Sequence, residues 1–250
     1  MPMPPSQFRS AAEVESGASP SGKKISLGTR IVLRFSLGLI VASAFLFLPA
    51  GTLKFWQGWA YIAILFIPGV WVYGYFWKRD PEMLERRMQN KEEVSEQKLL
   101  IRCSAPLFIA VFLLPGFDER FGWSRGWMGD EPLWLTLFSE TMVLGAFLFV
   151  VWVVSVNRFA ARTIRVEAGQ TVISSGPYRI VRHPLYMGSG VLWLFTPLAL
   201  GSRVSLPAFA LLLPFYAIRL LNEEKVLREE LPGYREYCLR TRYRLIPLVW

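Results

Sequence analysis

The sequence predicts an all-α, polytopic integral membrane protein with about six transmembrane helices, including a C-terminal helical hairpin, and with both termini in the cytoplasm. Three observations lead to this fold class. Of the 250 residues, 53% are hydrophobic and the mean hydropathy is +0.33, whereas a soluble domain of this length is usually less apolar. The hydrophobic residues are grouped in long runs. Basic residues are concentrated between alternate runs.

The hydrophobic runs have the length of membrane spans. A helix needs about 20 residues to cross the hydrocarbon core of a bilayer, and tryptophans suit its two interfaces, as at Trp56 and Trp77. The last two runs are joined by the short turn "GSR", which predicts the hairpin. The predicted spans are 31–48, 56–77, 103–115, 133–156, 187–200 and 205–221.

The charge distribution sets the predicted orientation. Of the 28 Lys and Arg residues, all but Lys54, Arg120, Arg125 and Arg203 fall on one side of the predicted spans, together with both termini. Cytoplasmic loops carry such an excess of basic residues. This explains the net charge of +9 without a nucleic-acid partner, so the bilayer is the partner that the sequence predicts.

The chain divides into three predicted regions. Residues 1–26, rich in Pro, Ser and Gly, are expected to be a disordered tail. Residues 27–156 hold the first four spans and a charged cytoplasmic surface helix at 80–98. Residues 157–250 form a C-terminal region with the hairpin and a cytoplasmic tail.

Metal binding is not expected, because Cys103, Cys238 and the single histidine, His183, have no ligand spacing. Glu140 lies within the fourth span, where a carboxylate is a functional candidate by default. It is expected toward the outer side, as an acid that packs against or pairs with a neighbour.

The stretch "SSGPYRIVRHPLYMGSG", residues 174–190, places polar residues at the cytoplasmic border of the fifth span. Pro184 is suited to the first position of a helix, whose free N–H groups attract anions, and Arg182 adds a fork for a carboxylate. Gly188 and Gly190 permit the close approach of a ligand or a helix. An ordinary juxtamembrane loop would use the same residue types singly, but their combination favours a binding site.

A second polar patch follows the sixth span. Glu223 and Glu224 are acidic residues on the basic side of the membrane, and Arg219 is four residues before Glu223 on the same helix face. A simple i,i+4 ion pair accounts for the pattern. The alternative is functional: the hairpin brings Glu223 back to the membrane face that carries His183.

Together these patches resemble the isoprenylcysteine carboxyl methyltransferase family and the related phospholipid methyltransferases. The matching stretches are "SSGPYRIVRHPLYMG", "NEEKVL" and "GYREY", within residues 166–250. The tail "YREYCLRTRYRLIPLVW" resembles the bacterial branch, which implies the bacterial inner membrane. "LPGY" is one residue shorter than the usual spacing, so the sequence leaves open which glutamate matches the family acid.

The resemblance implies a membrane methyltransferase that uses S-adenosyl-L-methionine without a Rossmann domain, at a site facing the cytoplasm. Its acceptor would be lipophilic or small, with a carboxylate, thiol or amine, such as an isoprenylcysteine-type carboxylate. Arg219, on the acceptor side, and Glu223 are the catalytic candidates. The expected cofactor-binding residues, with Arg182 added from its fork geometry, are Gln170, Thr171, Val172, Ile173, Tyr178, Arg182, His183, Pro184, Leu185, Tyr186 and Glu223.

Two other functions stay open at this point. Membrane reductases of the sterol-reductase type share a similar His-Pro-x-Tyr run and use a nicotinamide cofactor. In those reductases the run resembles "RHPNY", whereas in this chain it is "RHPLY", with Leu185 in place of the asparagine, and a Glu-Glu pair follows later in the chain. Both differences favour the methyltransferase. A non-catalytic membrane protein that retains the fold is the second alternative. The oligomeric state is not predicted.

Overall fold

The computed structural model describes residues 26–87, 95–157, 159, 166 and 169–250. Within these residues the fold is helical, with two short 3-10 helices at Gly176–Arg179 and Arg203–Ser205 and no β-strand beyond an isolated bridge. The predicted all-α class is therefore confirmed. The α-helices are α1 Leu27–Ala50, α2 Trp56–Arg79, α3 Pro81–Arg87, α4 Ser95–Phe121, α5 Trp123–Met128, α6 Leu133–Val156, α7 Pro184–Ala199, α8 Leu206–Ala210, α9 Leu213–Glu230 and α10 Tyr234–Arg240.

Five helical segments in the described part of the chain are long and apolar enough to cross a membrane, so the chain is an integral membrane protein. They are Leu27–Ala50, Trp56–Arg79, Leu99–Phe121, Leu133–Val156 and Arg203–Glu230. The predicted third span, 103–115, lies inside a longer helix, in which Pro106 and Pro115 are accommodated. The sequence also offers a backward extension of this span to Leu99 as an alternative, and the candidate span starts at that residue.

The predicted fifth span corresponds to α7, which has 16 residues. At about 1.5 Å per residue α7 is about 24 Å long, less than the roughly 30 Å of a hydrocarbon core. The following chain turns at Gly201, whose φ of +66° suits glycine, and returns through α8 and α9. Six passes, counting this short helix, are compatible with the structure, and the cytoplasmic position of both termini stays a prediction.

The predicted tail at 1–26 falls almost wholly outside the described residues. The predicted surface helix at 80–98 is represented by α3 and by the first turn of α4, and the intervening residues are not among those described. On α3, Leu84 is buried, and Glu85 accepts a hydrogen bond of 2.7 Å from Arg30 on α1. This ion pair fixes α3 against the start of α1.

The apolar core joins the helices at their middle and at the end opposite the polar motif. Its buried members come from α1, α2, α6, α7 and the adjoining turns: Leu46, Phe47, Ala50, Phe55, Tyr61, Ile62, Val143, Ala199 and Leu200. At that far end Arg203 pairs with Glu131 at 2.5 Å, linking the turn after α7 to the start of α6. Glu140 is buried on α6, and its carboxyl oxygens have no hydrogen-bond partner among the described residues.

The α1–α4 contact supplies a test of this packing. A Cβ at Gly116 would lie 2.5 Å from the carbonyl oxygen of Leu46, which is backbone and cannot rotate away. We expect Gly116→Ala to lower the melting temperature of the detergent-purified protein by several degrees, because overpacking costs about 1–3 kcal/mol. Gly74→Ala on α2 is the control, since nothing lies within 4 Å of its Cβ position. Equal melting temperatures for the two variants would contradict the α1–α4 packing.

Candidate functional site

The motif 174–190 begins against the end of α6. Gly176, at φ +56°, passes so close to this helix that a Cβ there would lie 3.3 Å from Val156. One residue beyond α6, Asn157 donates a hydrogen bond of 2.9 Å to the Tyr178 hydroxyl. The 3-10 helix that contains Tyr178 is thereby fixed to the end of the clearest membrane span.

His183 and Pro184 start α7 as the sequence predicts. His183 is the residue before the helix, and Pro184 occupies its first turn, where its missing N–H leaves no bond unmade. The His183 side chain is buried, and its Nε2 lies 3.7 Å from Glu224 Oε2. The two predicted patches, about forty residues apart in the sequence, therefore meet at the start of α7.

Glu224 lies at the centre of an arginine cluster, which we define as Arg182, Arg228, Arg244 and Glu224 itself. Glu224 Oε1 accepts hydrogen bonds from Arg228 Nη2 at 2.6 Å and Nε at 3.0 Å, and Oε2 accepts from Arg244 Nε at 2.7 Å. Arg182 Nη2 lies 3.1 Å from Oε1. The Glu224 and Arg182 side chains are only 4% and 5% exposed, whereas Arg228 and Arg244 are 44% and 32% exposed. Three guanidinium groups around one carboxylate leave a net positive charge that faces outward through the two exposed arginines.

Arg182 has little freedom for a ligand in this arrangement. Besides Glu224, its Nη1 donates to the carbonyl oxygens of Thr241 and Arg242, at 3.1 and 3.0 Å. The sequence places this guanidinium at a helix start, where it resembles a free fork for an anion. The structure directs it inward, toward the C-terminal tail.

The C-terminal tail, residues 241–250, forms a strap over the motif. The backbone N–H groups of Arg182 and His183 donate to the carbonyls of Tyr243 and Arg244, both at 2.9 Å, and Val181 pairs with Tyr243 in a parallel β-bridge. Sequence reasoning assigned no contact to these residues. The signal in the sequence was the arginine-rich run "RTRYR", which follows the acidic pair along the chain.

Tyr186 and Glu223 form the second contact between α7 and α9. The Tyr186 hydroxyl donates a hydrogen bond of 2.7 Å to Glu223 Oε2. The Tyr186 ring lies 4.8 Å from the ring of Tyr216, whose hydroxyl donates to the Tyr186 carbonyl at 2.8 Å. Tyr216 in turn contacts Trp193, with ring centres 4.8 Å apart. This aromatic group, Tyr186, Trp193 and Tyr216, borders the Glu223 carboxylate.

The remaining predicted residues pack in a separate apolar cluster. Tyr178, Tyr234 and Tyr237 are buried in it, and Val172, Ile173 and Leu185 pack against it. Tyr237 donates a hydrogen bond of 2.7 Å to the Tyr178 carbonyl. Burial raises the pKa of the Tyr234 and Tyr237 phenols and of the Cys238 thiol, so all three groups stay protonated at neutral pH.

The structure thus divides the predicted site residues. His183 and Tyr186 meet the acidic pair on α9, and Arg219 lies one turn before Glu223 on the same helix. Val172, Ile173, Tyr178 and Leu185 support the motif from the opposite side, while Thr171 is exposed and Gln170 lies beside it at the start of the segment. Both glutamates are engaged: Glu224 faces His183, and Glu223 faces Tyr186.

Gly188 and Gly190 differ in what lies beside them. A Cβ at Gly188 would lie 2.8 Å from both Phe149 and Val150, whereas Gly190 has open space. Gly188 therefore serves the close packing of α7 on α6. Within the described residues, no group of three His, Cys, Asp or Glu side chains is arranged to hold a metal ion.

The arginine cluster supplies a second test. Glu224→Gln leaves three guanidinium groups without a counter-charge, and removing one partner of a buried pair costs about 3–5 kcal/mol. We expect the free energy of unfolding to fall by about 3 kcal/mol, the lower limit of this range. The reason is that water screens the charges of the two partly exposed arginines. Glu230→Gln, on an exposed residue of the same helix, is the control. Thermal unfolding in detergent measures both, and an unchanged Glu224→Gln melting temperature would contradict the cluster.

Comparison with known proteins adds two relatives and one family. The chain is 34% identical over 94 residues to the Delta(14)-sterol reductase of Mus musculus, a match that covers 35% of this chain and 22% of the reductase. It is 33% identical over 138 residues to the cobalt-zinc-cadmium resistance protein CzcN of Cupriavidus metallidurans, covering 54% of this chain and 56% of CzcN. The matches therefore span less than two thirds of either relative.

The family match covers α6, the motif and almost all of α9. Residues 135–229 match the isoprenylcysteine carboxyl methyltransferase family. This segment contains both glutamates, His183, Tyr186 and two of the three clustered arginines. Most of the segment that builds the candidate site is therefore similar to the isoprenylcysteine carboxyl methyltransferase family.

Proposed function

We propose that this chain is a membrane-embedded methyltransferase that uses S-adenosyl-L-methionine and methylates a lipophilic or small acceptor. The observation that carries the proposal is the meeting of the α7 start with α9, where His183 faces Glu224 and Tyr186 bonds to Glu223. The family match of residues 135–229 supports the reaction class. The acceptor atom would be a carboxylate oxygen, a thiol sulfur or an amine nitrogen, as in an isoprenylcysteine-type carboxylate.

The residues present fit the cofactor's chemical groups. The aromatic faces of Tyr186 and Tyr216 attract a cation such as a sulfonium, and the Glu223 carboxylate suits an ammonium or a ribose hydroxyl. The net positive charge of the arginine cluster, exposed at Arg228 and Arg244, suits the cofactor carboxylate. His183 Nε2 is buried and faces Glu224 Oε2 at 3.7 Å, so we assign His183 to the contact between the motif and α9.

For Arg182 we propose a positioning role in place of the predicted contact with the cofactor. Because its guanidinium bonds to Glu224 and to two tail carbonyls, we assign it as a positioning residue that holds α9 and the tail against the motif. Arg219, one turn before Glu223, stays the candidate for the acceptor side. A cation there suits an anionic acceptor.

S-adenosylmethionine, when bound, supplies a methyl group already activated by its sulfonium. The protein's contribution is therefore alignment, which supplies much of the rate in a reaction between two bound molecules. No protein nucleophile is needed, and Cys238, whose thiol stays protonated, would be a poor one. A general base is needed only for an acceptor that arrives protonated.

The site is placed at the cytoplasmic face of a bacterial inner membrane. The charge asymmetry supports this orientation, and the resemblance of the C-terminal tail to the bacterial branch supports the membrane. A lipophilic acceptor would then reach the site from the bilayer, and the soluble cofactor from the cytoplasm.

A nicotinamide-dependent membrane reductase is the second candidate. The observation in its favour is the match to the sterol reductase over 94 residues. Isothermal titration calorimetry of the detergent-purified protein with S-adenosylhomocysteine and, separately, with NADPH distinguishes the two. We expect binding of S-adenosylhomocysteine; binding of NADPH alone would overturn the methyltransferase, and binding of neither would favour a non-catalytic protein.

The Tyr186–Glu223 contact predicts a specific effect on binding. Both Tyr186→Phe and Glu223→Gln should weaken S-adenosylhomocysteine binding by about ten-fold or more, because a hydrogen bond to a charged group contributes about 1.5–3 kcal/mol. Calorimetry measures the affinity, and Glu229→Gln, exposed on the same helix, is the matched control. Melting temperatures verify that each variant is folded. Unchanged affinity in both variants would remove this contact from the cofactor site.

A further inference from the structure

A cavity of about 400 Å³ lies among α1, α2, α3 and α6, within the size range of small-molecule sites. Its walls are apolar, with Phe35, Phe66 and Val151 among the lining residues, and Leu84 of α3 bounds it. The ion pair of Arg30 with Glu85 holds α3 in this position. The cavity is therefore built from four helices and does not depend on a single loop.

The cavity lies against a different face of α6 from the one that packs on Tyr178, and Val150 of its lining also lies beside Gly188. The α6 residues that line it, Phe147, Val150, Val151 and Val154, follow a spacing of three and four. Val153 and Val156 of the same helix pack in the cluster with Tyr178. At about 100° per residue these two sets point about 140° apart, so the cavity opens on a different face of α6 from the cluster around Tyr178.

Two polar groups line this apolar space. Arg34 on α1 and Tyr73 on α2 belong to its lining, and Arg34 is the charged residue among the described residues that form it. Arg34 is seven residues from the start of α1, about 10 Å along the helix axis, which is within reach of the interface for a long side chain. A guanidinium has five N–H donors, so it can bind an anion and retain a protein contact.

We propose that this cavity binds one hydrocarbon chain of an anionic amphiphile, with the carboxylate or phosphate head at Arg34 and the chain between α1, α2 and α6. The charge favours an anion over a zwitterionic or cationic head, and a bidentate guanidinium suits both carboxylate and phosphate oxygens. The apolar walls favour a hydrocarbon chain over a polar ligand. This site goes beyond the proposed methyl transfer and does not depend on it.

Native mass spectrometry of the delipidated full chain in detergent tests the proposal. The probes are palmitate, the palmitoyl lysophospholipid with a glycerol head, which is anionic, and the palmitoyl lysophospholipid with a choline head, which is zwitterionic. We expect binding of at least one anionic probe and weaker binding of the choline probe. Binding of palmitate alone would identify a free carboxylate as the head, and binding of the anionic lysophospholipid would identify a phosphodiester.

Two variants test where the probe binds. Arg34→Gln should weaken binding of the anionic probe by about ten-fold, the size of one charge-assisted hydrogen bond. Gly38→Leu should reduce it further, because Gly38 lines the cavity and the added side chain occupies it. The controls are Arg79→Gln and Gly74→Leu, on α2 residues that do not line the cavity.

Equal binding in the wild type and in both cavity variants would overturn the proposal, as would equal binding of the anionic and choline probes or no binding at all. Melting temperatures identify any variant that is misfolded, and the two variants are independent of one another. Because Gly38 lies on α1, outside the proposed cofactor site, Gly38→Leu should retain S-adenosylhomocysteine binding. Failure of this site is thus separable from failure of the proposed methyltransferase.

Discussion

The candidate site depends on one buried carboxylate, that of Glu224, surrounded by three arginines. Burying an ion costs several kcal/mol unless its partners and hydrogen bonds compensate, and here the carboxylate accepts from Arg228 and Arg244 and pairs with Arg182. The three arginines come from the motif, from α9 and from the C-terminal tail. A single charge therefore holds together three segments that are distant in the sequence.

This arrangement assigns different tasks to two adjacent glutamates. Consecutive residues on an α-helix point about 100° apart, so Glu224 faces the arginines and His183 while Glu223 faces Tyr186. The buried glutamate is fully occupied by protein groups, and it fixes the rotation of α9 about its axis. That rotation presents Glu223 beside the aromatic rings of Tyr186 and Tyr216. In the proposed function, Glu224 is thus the positioning residue and Glu223 is the residue available to a ligand.

The sequence predicts the parts of this structure that arise from composition and local order. Hydropathy locates the long spans, Pro184 marks the start of α7, and the two polar patches meet as expected. The strap formed by residues 241–250 escapes prediction because its bonds to Arg182 and His183 use backbone groups, which leave no side-chain signature. For the same reason Arg182 resembles a free anion ligand. The spacing also leaves open which of Glu223 and Glu224 faces a ligand, because only the rotation of α9 decides it. The cavity beside Arg34 is not predictable from the sequence, because it exists only when four helices are in place.

The short length of α7 suits a reaction between a soluble cofactor and a membrane-borne acceptor. The turn after α7 is paired to the start of α6 through Arg203 and Glu131, so the end of α7 and the start of α6 lie near each other at the far end of the bundle. Gly188, four residues into α7, lies beside Phe149, which is seven residues before the end of α6. At about 1.5 Å per residue, this contact sets the start of α7 about 5 Å below the end of α6. His183 and Tyr186 consequently lie recessed below the end of α6, which in the proposed function is a depth that a bilayer acceptor and a soluble cofactor can both reach.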